Sequence, residues 1–339
     1  MTFKVGLSAD LDNGNGGFTW GDIKIETLGE LNWSFLKGNE KNFTPELVKG
    51  FDAVAFAGPG VVPGSFGAPE DSPAIIARFG VGYDNIDLAE CTRAGVALTI
   101  TPDGSQKPVA TAALTLLLST MHRLNAKGIV AKENRWSDRL DKLGATPNGK
   151  TIATIGLGNI ASEFFRLLSP FDCKRIAYDP WKTQAEADAI NVKLVSLEEL
   201  FKVADAVIVM ATLTPETRHL VGAEQFKAMK PSAILVNISR GPIVDEEALI
   251  VALKSEEIAG AGLDVFEVEP PSSDNPLLQM ANVVVTPHNL AWTDELAAGM
   301  GTSAFTAIQA IAKGEHPKFV VNKEVLDTPQ FKAKLTKWL

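Results

Sequence analysis

The chain is 339 residues long, 45% hydrophobic and 22% charged, with a formal net charge of −9. That length exceeds one typical core and predicts two domains, while the acidic balance, with no long basic stretch, argues against a nucleic-acid or acidic-membrane partner. Cys91 and Cys173 give no disulfide framework and point to a reducing, cytoplasmic setting. The amino terminus runs at once into strand-like residues without a signal-peptide core. The longest apolar helical stretch, 109–118, is too short to span a bilayer.

Short β-rich runs are expected at 4–7, 53–57, 75–79, 97–100, 151–155, 175–178, 206–210, 233–237, 260–265 and 283–286, alternating with helical stretches. This alternation predicts an α/β fold with parallel sheets. Two Gly/Pro-rich segments, 11–22 and 58–69, read as solvated connections; the second follows a strand end and is a lesser candidate for a cleft wall. A long apolar helix is expected over 111–124. The turn signal Asn148-Gly149-Lys150 then resets the pattern, and regular βα units run to Thr286. The last fifty residues are mostly helical, opening at a capped start, Thr293-Asp294-Glu295. A tail that packs back on the first hundred residues would make the intervening domain an insertion.

The strand expected at 151–155 leads into Gly156-Leu157-Gly158-Asn159-Ile160-Ala161 and a stretch with helical spacing, and a second strand ends at Asp179, twenty-one positions after Gly158. Strand, turn, helix, strand and acid in this order form a dinucleotide site. Gly156 permits the tight turn, Gly158 lets the backbone approach a pyrophosphate, and the amides of Asn159 and Ile160 lie at the positive end of the helix dipole. Asp179 can accept from the adenosine ribose hydroxyls and would repel a 2′-phosphate, which favours NAD over NADP. Its alternative role is to cap Pro180-Trp181.

Three later segments each place one ionisable residue just past a β-rich run: Asn237-Ile238-Ser239-Arg240-Gly241, Gly262 to Pro270, and Thr286-Pro287-His288. A guanidinium at Arg240 offers two parallel donors to a carboxylate. Glu269 precedes Pro270, with Glu267 competing for the same role, and His288 is the candidate proton carrier. His122, His219 and His316 have no such placement. The set suits hydride transfer to or from a small 2-oxo or 2-hydroxy acid.

At these residues the chain resembles the NAD-dependent D-isomer-specific 2-hydroxyacid dehydrogenases. Arg78-Phe-Gly-Val-Gly-Tyr-Asp-Asn-Ile-Asp87 is similar to that family's substrate loop, and Ala177-Tyr-Asp-Pro180 to its ribose-binding acid. Leu213-Thr-Pro-Glu-Thr217 and the segments 237–249, 259–270 and 286–288 follow in the family's order, so the likeness covers about residues 75 to 295. It implies that Arg240 binds the substrate carboxylate with help from the Val81 and Gly82 amides, that His288 is the acid/base and that Glu269 is its partner. It also implies that the Ile238 carbonyl and the Asp264 carboxylate hold the nicotinamide amide, with Val109, Thr212 and Thr217 along the cofactor.

The fold expected is a Rossmann-type doubly wound domain (104–289) inserted in a flavodoxin-like substrate domain (1–103 and 290–339). The resemblance further implies a homodimer paired through the cofactor domain, for which the apolar stretch 109–118 is a candidate face, with burial in the monomer's own core as the equal alternative. Thr111 stands where many members have Glu, Thr212 where Pro is usual, and Asn289-Leu-Ala-Trp292 where many glyoxylate reductases have small residues. Formate dehydrogenases carry Gln in place of Glu269, which argues against that activity. Glyoxylate or hydroxypyruvate reduction is the leading expectation, with sugar acids or phosphoglycerate as a variant. An NAD(H)-sensing scaffold, similar to the co-repressors that resemble this family, is the alternative from another class.

Overall fold

The computed structural model describes residues 2–38 and 40–337. It forms two compact units, Met1–Ser105 with Trp292–Leu339, and Gln106–Ala291.

The first unit is built on five parallel strands, β1 (Lys4–Leu7), β2 (Asn32–Phe35), β3 (Ala53–Phe56), β4 (Ile75–Arg78) and β5 (Ala97–Thr99), in the spatial order β2-β1-β3-β4-β5. β3 is buried along its whole length and β4 up to Arg78, as a parallel sheet covered on both faces requires. One core is filled by Phe43, Val54, Phe56, Ile76 and Leu98. The helix Asp294–Ala312 belongs to this unit; Thr293 caps it by accepting from the Leu296 amide, as its sequence predicts.

The second unit carries seven parallel strands: β6 (Thr151–Ile155), β7 (Lys174–Tyr178), β8 (Lys193–Leu194), β9 (Ala206–Val209), β10 (Ile234–Asn237), β11 (Gly260–Leu263) and β12 (Val283–Val285). Their order, β12-β11-β10-β9-β6-β7-β8, reverses direction between β6 and β9. In a doubly wound sheet the crevice beyond the strand ends at such a reversal is where a ligand sits.

Alternation along the strands feeds two cores. Ala153, Ile155, Val207, Val209 and Leu235 face one side with Phe201, Phe226 and Leu249. Ile152, Ala206, Ile208, Ile234 and Val236 face the other with Phe164, Phe165 and Leu117. Each fully buried Val, Leu, Ile or Phe among them contributes about 1.5–3 kcal/mol relative to exposure.

Two strands escape sequence reading. β2 is mostly exposed and lies at the sheet edge, and β8 has only two residues, too few to show a period. The helix expected over 111–124 is longer and then broken. It runs from Pro102 to Met121, and a new helix, Leu124–Lys132, starts after Arg123 in the left-handed conformation at φ 53°. Ala110, Ala113, Leu116 and Leu117 pack into the second core, so the stretch 109–118 is largely interior, as the core alternative expects.

Candidate active site

The Gly-rich turn joins β6 to the helix Asn159–Leu167. Gly156 has φ 95°, and a Cβ there would lie 3.0 Å from the Met210 carbonyl and the Ala211 amide at the end of β9. Gly158 is the N-cap of the helix and differs in kind: nothing lies within 4 Å of where its Cβ would be. No side chain caps this helix, so its first amides are presented outward at the positive end of the dipole.

Asp179, at the end of β7, accepts from the Leu157 amide at 2.8 Å and from the Trp181 amide at 2.9 Å, one on each carboxylate oxygen. The capping role weighed in the sequence is therefore present. Each oxygen keeps a further lone pair for a hydroxyl.

Beyond β9, Thr212 and Thr217 share one turn, in which the Thr217 hydroxyl donates to the Thr212 carbonyl at 2.7 Å. Val109 is half-buried on the helix Pro102–Met121, and Ile238 is half-buried just past β10. Asn237, almost fully buried, donates from Nδ2 to the Arg240 carbonyl at 3.0 Å and accepts from the Ser239 amide at 3.0 Å, which fixes the turn that carries Arg240. The Ser239 hydroxyl donates to the Ala211 carbonyl, tying this turn to the one after β9.

Buried Asp264 follows β11. Its Oδ1 accepts from the Thr286 hydroxyl at 2.6 Å and from the amides of Asn289 and Leu290 at 3.1 and 3.2 Å. Its carbonyl accepts from the His288 amide at 2.7 Å, and His288 itself has φ 54°. Asp264 thereby fixes the backbone on both sides of the imidazole.

The imidazole Nδ1 lies 2.8 Å from Glu269 Oε2, and Glu269 Oε1 accepts from the Phe266 amide at 3.0 Å. Burial works to raise the Glu269 carboxyl, yet the His288 hydrogen bond, the Phe266 amide and the charges of His288 and Arg240 together hold it below the ordinary carboxylate range. The competition between the two glutamates is resolved by partners. Glu267 is turned to His219, whose Nε2 is 2.7 Å from Oε1, and to the Glu246 amide, at 3.3 Å from Oε2.

Arg240, Glu269 and His288 thus all belong to the second unit, on loops following β10, β11 and β12. Val81 and Gly82 belong to the first, on the loop after β4, where the Thr101 hydroxyl accepts from the Gly80 amide at 2.9 Å. Sequence reading assigns no role to His219, Glu246, Asn237 or Ser239. His219 does not stand just past a β-rich run, and its partner Glu267 lies 48 positions away, beyond any local signal. Among the described residues no cluster of His, Cys, Asp and Glu could hold a metal ion, and no helix is long and apolar enough to cross a membrane.

Comparison with known proteins meets this geometry. Residues 114–289, just over half of the chain, match the D-isomer specific 2-hydroxyacid dehydrogenase, NAD binding domain. The chain is 40% identical over 258 residues to the glyoxylate reductase of Thermococcus gammatolerans, covering 74% of this chain and 77% of that protein. It is also 40% identical over 249 residues to the D-3-phosphoglycerate dehydrogenase of Methanocaldococcus jannaschii, covering 73% of this chain but 47% of that protein. The chain therefore spans about half the length of the phosphoglycerate dehydrogenases it matches.

Among solved structures, a glyoxylate reductase from Paecilomyes thermophila superposes with a TM-score of 0.77 at 25% identity, over 95% of this chain and 99% of that one. D-2-hydroxyisocaproate dehydrogenase gives 0.80 at 24% identity over 94% and 100%, a likeness of fold alone. On the strength of the matched domain and the 40% identity to a relative of similar length, the chain belongs to the D-isomer specific 2-hydroxyacid dehydrogenases, and its second unit is their NAD-binding domain.

Proposed function

We propose that this protein is an NAD-dependent oxidoreductase that interconverts a small D-2-hydroxy acid and its 2-oxo acid, with glyoxylate or hydroxypyruvate as the substrate class to try first. The observation that carries the reading is the 2.8 Å contact between His288 Nδ1 and Glu269 Oε2. A carboxylate on Nδ1 fixes that nitrogen as a donor, which leaves Nε2 to exchange a proton with substrate oxygen.

NADH, when bound, supplies hydride to the carbonyl carbon. Several features fit such a cofactor: the open space at Gly158, the uncapped amides of the helix Asn159–Leu167, and Asp264 Oδ2, which has no protein hydrogen bond among the described residues. Asp264 and the Ile238 carbonyl would take the nicotinamide amide. Val109, Thr212 and Thr217 would flank the cofactor, and Asp179 would meet its ribose hydroxyls.

In reduction, Arg240 holds the substrate carboxylate through its planar fork, with the Val81 and Gly82 amides as further donors, and protonated His288 donates to the carbonyl oxygen. Charged Glu269 stabilises that protonated imidazole. In oxidation, neutral His288 removes the hydroxyl proton.

The domain division proposed is a substrate domain of 1–103 with 290–339 and a cofactor domain of 104–289. Free Cys91 and Cys173 support a reducing, cytoplasmic location. A homodimer is the proposed assembly. With the stretch 109–118 largely interior, we move the proposed contact face to Trp136, Leu140 and Leu143, which are 62, 70 and 77% exposed in the second unit.

The deciding experiment is a panel of 2-oxo acids with NADH, run on the wild type and His288→Asn. Turnover on at least one short acid, lowered by about 10²–10⁴-fold in the variant while NADH still binds, is expected. No turnover on any acid would overturn the enzymatic reading and return the NAD(H)-sensing scaffold.

A further inference from the structure

We infer that His219 is a positioning residue, which acts through Glu267 to hold the loop bearing Glu269 in register with the loop bearing Arg240. The inference rests on the reading of Glu269 and His288 as the acid/base pair, and it assigns a task to a second imidazole–carboxylate pair that this reading leaves unused.

His219 lies on the loop after β9. Its amide donates to the Pro242 carbonyl at 2.9 Å, which joins that loop to the one after β10, two residues past Arg240. Its Nε2 meets Glu267 Oε1 at 2.7 Å, which joins it to the loop after β11, two residues before Glu269. The backbone at His219 is left-handed, φ 52°, a conformation uncommon away from glycine. The Arg218 guanidinium lies 3.7 Å from the same carboxylate oxygen.

The pairing extends further. The Glu246 amide donates to Glu267 Oε2 at 3.3 Å, the Glu267 amide donates to Glu246 Oε2 at 2.9 Å, and Asn275 Nδ2 donates to Glu246 Oε1 at 2.7 Å. Glu267 is therefore held by its carboxylate and its backbone together, by groups from the loop after β9 and from the first residue of the helix Glu246–Lys254.

Two further contacts explain why this hold matters to Glu269 in particular. Glu269 Oε1 accepts from the amide of Phe266, the residue before Glu267, so a displacement of Glu267 carries the Glu269 anchor with it. A Cβ on Gly241 would lie 1.8 Å from the Phe266 carbonyl oxygen, so the loops of Arg240 and Glu269 already touch, backbone to backbone. Positioning errors of about 1 Å at reacting groups cost on the order of 10²-fold in rate. A network that fixes the carboxylate on one loop against the guanidinium loop therefore acts on turnover rather than on folding alone.

The test compares His219→Ala, His219→Gln, which keeps a side-chain donor, and Glu269→Gln, each as the full chain, together with the His219→Ala/Glu269→Gln double variant. His219→Ala should lower kcat about tenfold or more with NADH affinity retained. It should move the alkaline limb of the reduction profile in the same direction as Glu269→Gln, and the Gln variant should recover most of the rate. Added to Glu269→Gln it should cost little more, because both act through one carboxylate. A His219→Ala enzyme with wild-type kcat and pH profile, or strict additivity in the double variant, overturns the inference even where melting falls. If His219→Ala does not fold, Glu267→Gln and His219→Gln supply the same comparison. Insensitivity of turnover to His288→Asn would instead remove the acid/base reading beneath it, so the two failures are distinguishable.

Discussion

Gly158→Ala separates cofactor contact from folding. Gly158 has φ −83° and ψ −168°, which any residue adopts, and no atom lies within 4 Å of the position its Cβ would take. Stability therefore changes through two small terms of opposite sign. Alanine is a poorer N-cap than glycine by about 0.5–1 kcal/mol, while a less flexible unfolded chain returns about 0.4–1 kcal/mol. The net is within about 0.5 kcal/mol, a melting shift of about 1–2 °C for a domain of this size. A pyrophosphate drawn against the amides of Asn159 and Ile160 would meet the new methyl. Overpacking of that kind costs about 1–3 kcal/mol, which is about a 5- to 150-fold rise in Kd. Thermal melting without ligand and NADH titration by fluorescence read the two quantities separately. Gly156→Ala is the control: with φ 95° and backbone 3.0 Å from its Cβ, it should lose stability before any ligand is added. An unchanged NADH Kd in a normally melting Gly158→Ala protein would refute the claim that the cofactor phosphates approach this turn.

Glu269→Gln should move the alkaline fall-off of reduction to lower pH. The carboxyl is held below its ordinary range and so stays charged at neutral pH; reduction needs the imidazole protonated, and losing the negative charge makes that proton easier to lose. The same lowered carboxyl contributes stability that is present above its unfolded value and disappears as pH falls through the folded one, which acid melting curves would record. An unshifted rate profile would mean that Glu269 does not govern the proton carrier. Asp179→Ser should narrow the preference for NADH over NADPH by removing like charge from beside a 2′-phosphate, and equal wild-type affinities in titration would rule the idea out. Leu140→Asp should leave melting of the monomer nearly unchanged, since the side chain is 70% exposed, and should convert a dimer to monomers in light scattering; a wild type already monomeric at micromolar concentration would refute the contact face.

Much of the fold is legible because a parallel sheet buried on both faces writes itself as short apolar runs. From β6 to β12 every strand except β8 stands within two residues of its expected limits, and β8 survives only by pairing Leu194 with Ala177 and Lys193 with Ile176 of β7. β2 reads poorly for a related reason: Asn32-Trp33-Ser34-Phe35 lies on an edge, where neither face is required to be apolar. The early start of the long helix at Pro102 has a local signal, a proline at a first helical position, overshadowed by the apolar residues ten positions later.

The candidate site divides along the same line. The loops after β9, β10, β11 and β12 carry His219, Arg240, Glu269 and His288 in turn, and these four strands are consecutive neighbours in the sheet. Neighbouring strands lie about 4.8 Å apart, so chain order becomes spatial order, and residues just past apolar runs converge without any further information. Which glutamate serves His288 is not set by that rule, because Glu267 and Glu269 leave the same strand. It is set by what the first of them meets. For His219, on the loop after β9, to reach Glu267, on the loop after β11, it must pass the loop after β10, and that loop must lie flat enough to let them join. Gly241 supplies the clearance, since any Cβ there would strike the Phe266 carbonyl. With Glu267 held by that bridge and by Glu246, Glu269 is the carboxylate left for the neighbouring imidazole, and its Oε1 is steadied by the Phe266 amide. The pairing of His288 with Glu269 rather than Glu267 thus traces to the clearance at Gly241 and to the hold of His219 on Glu267.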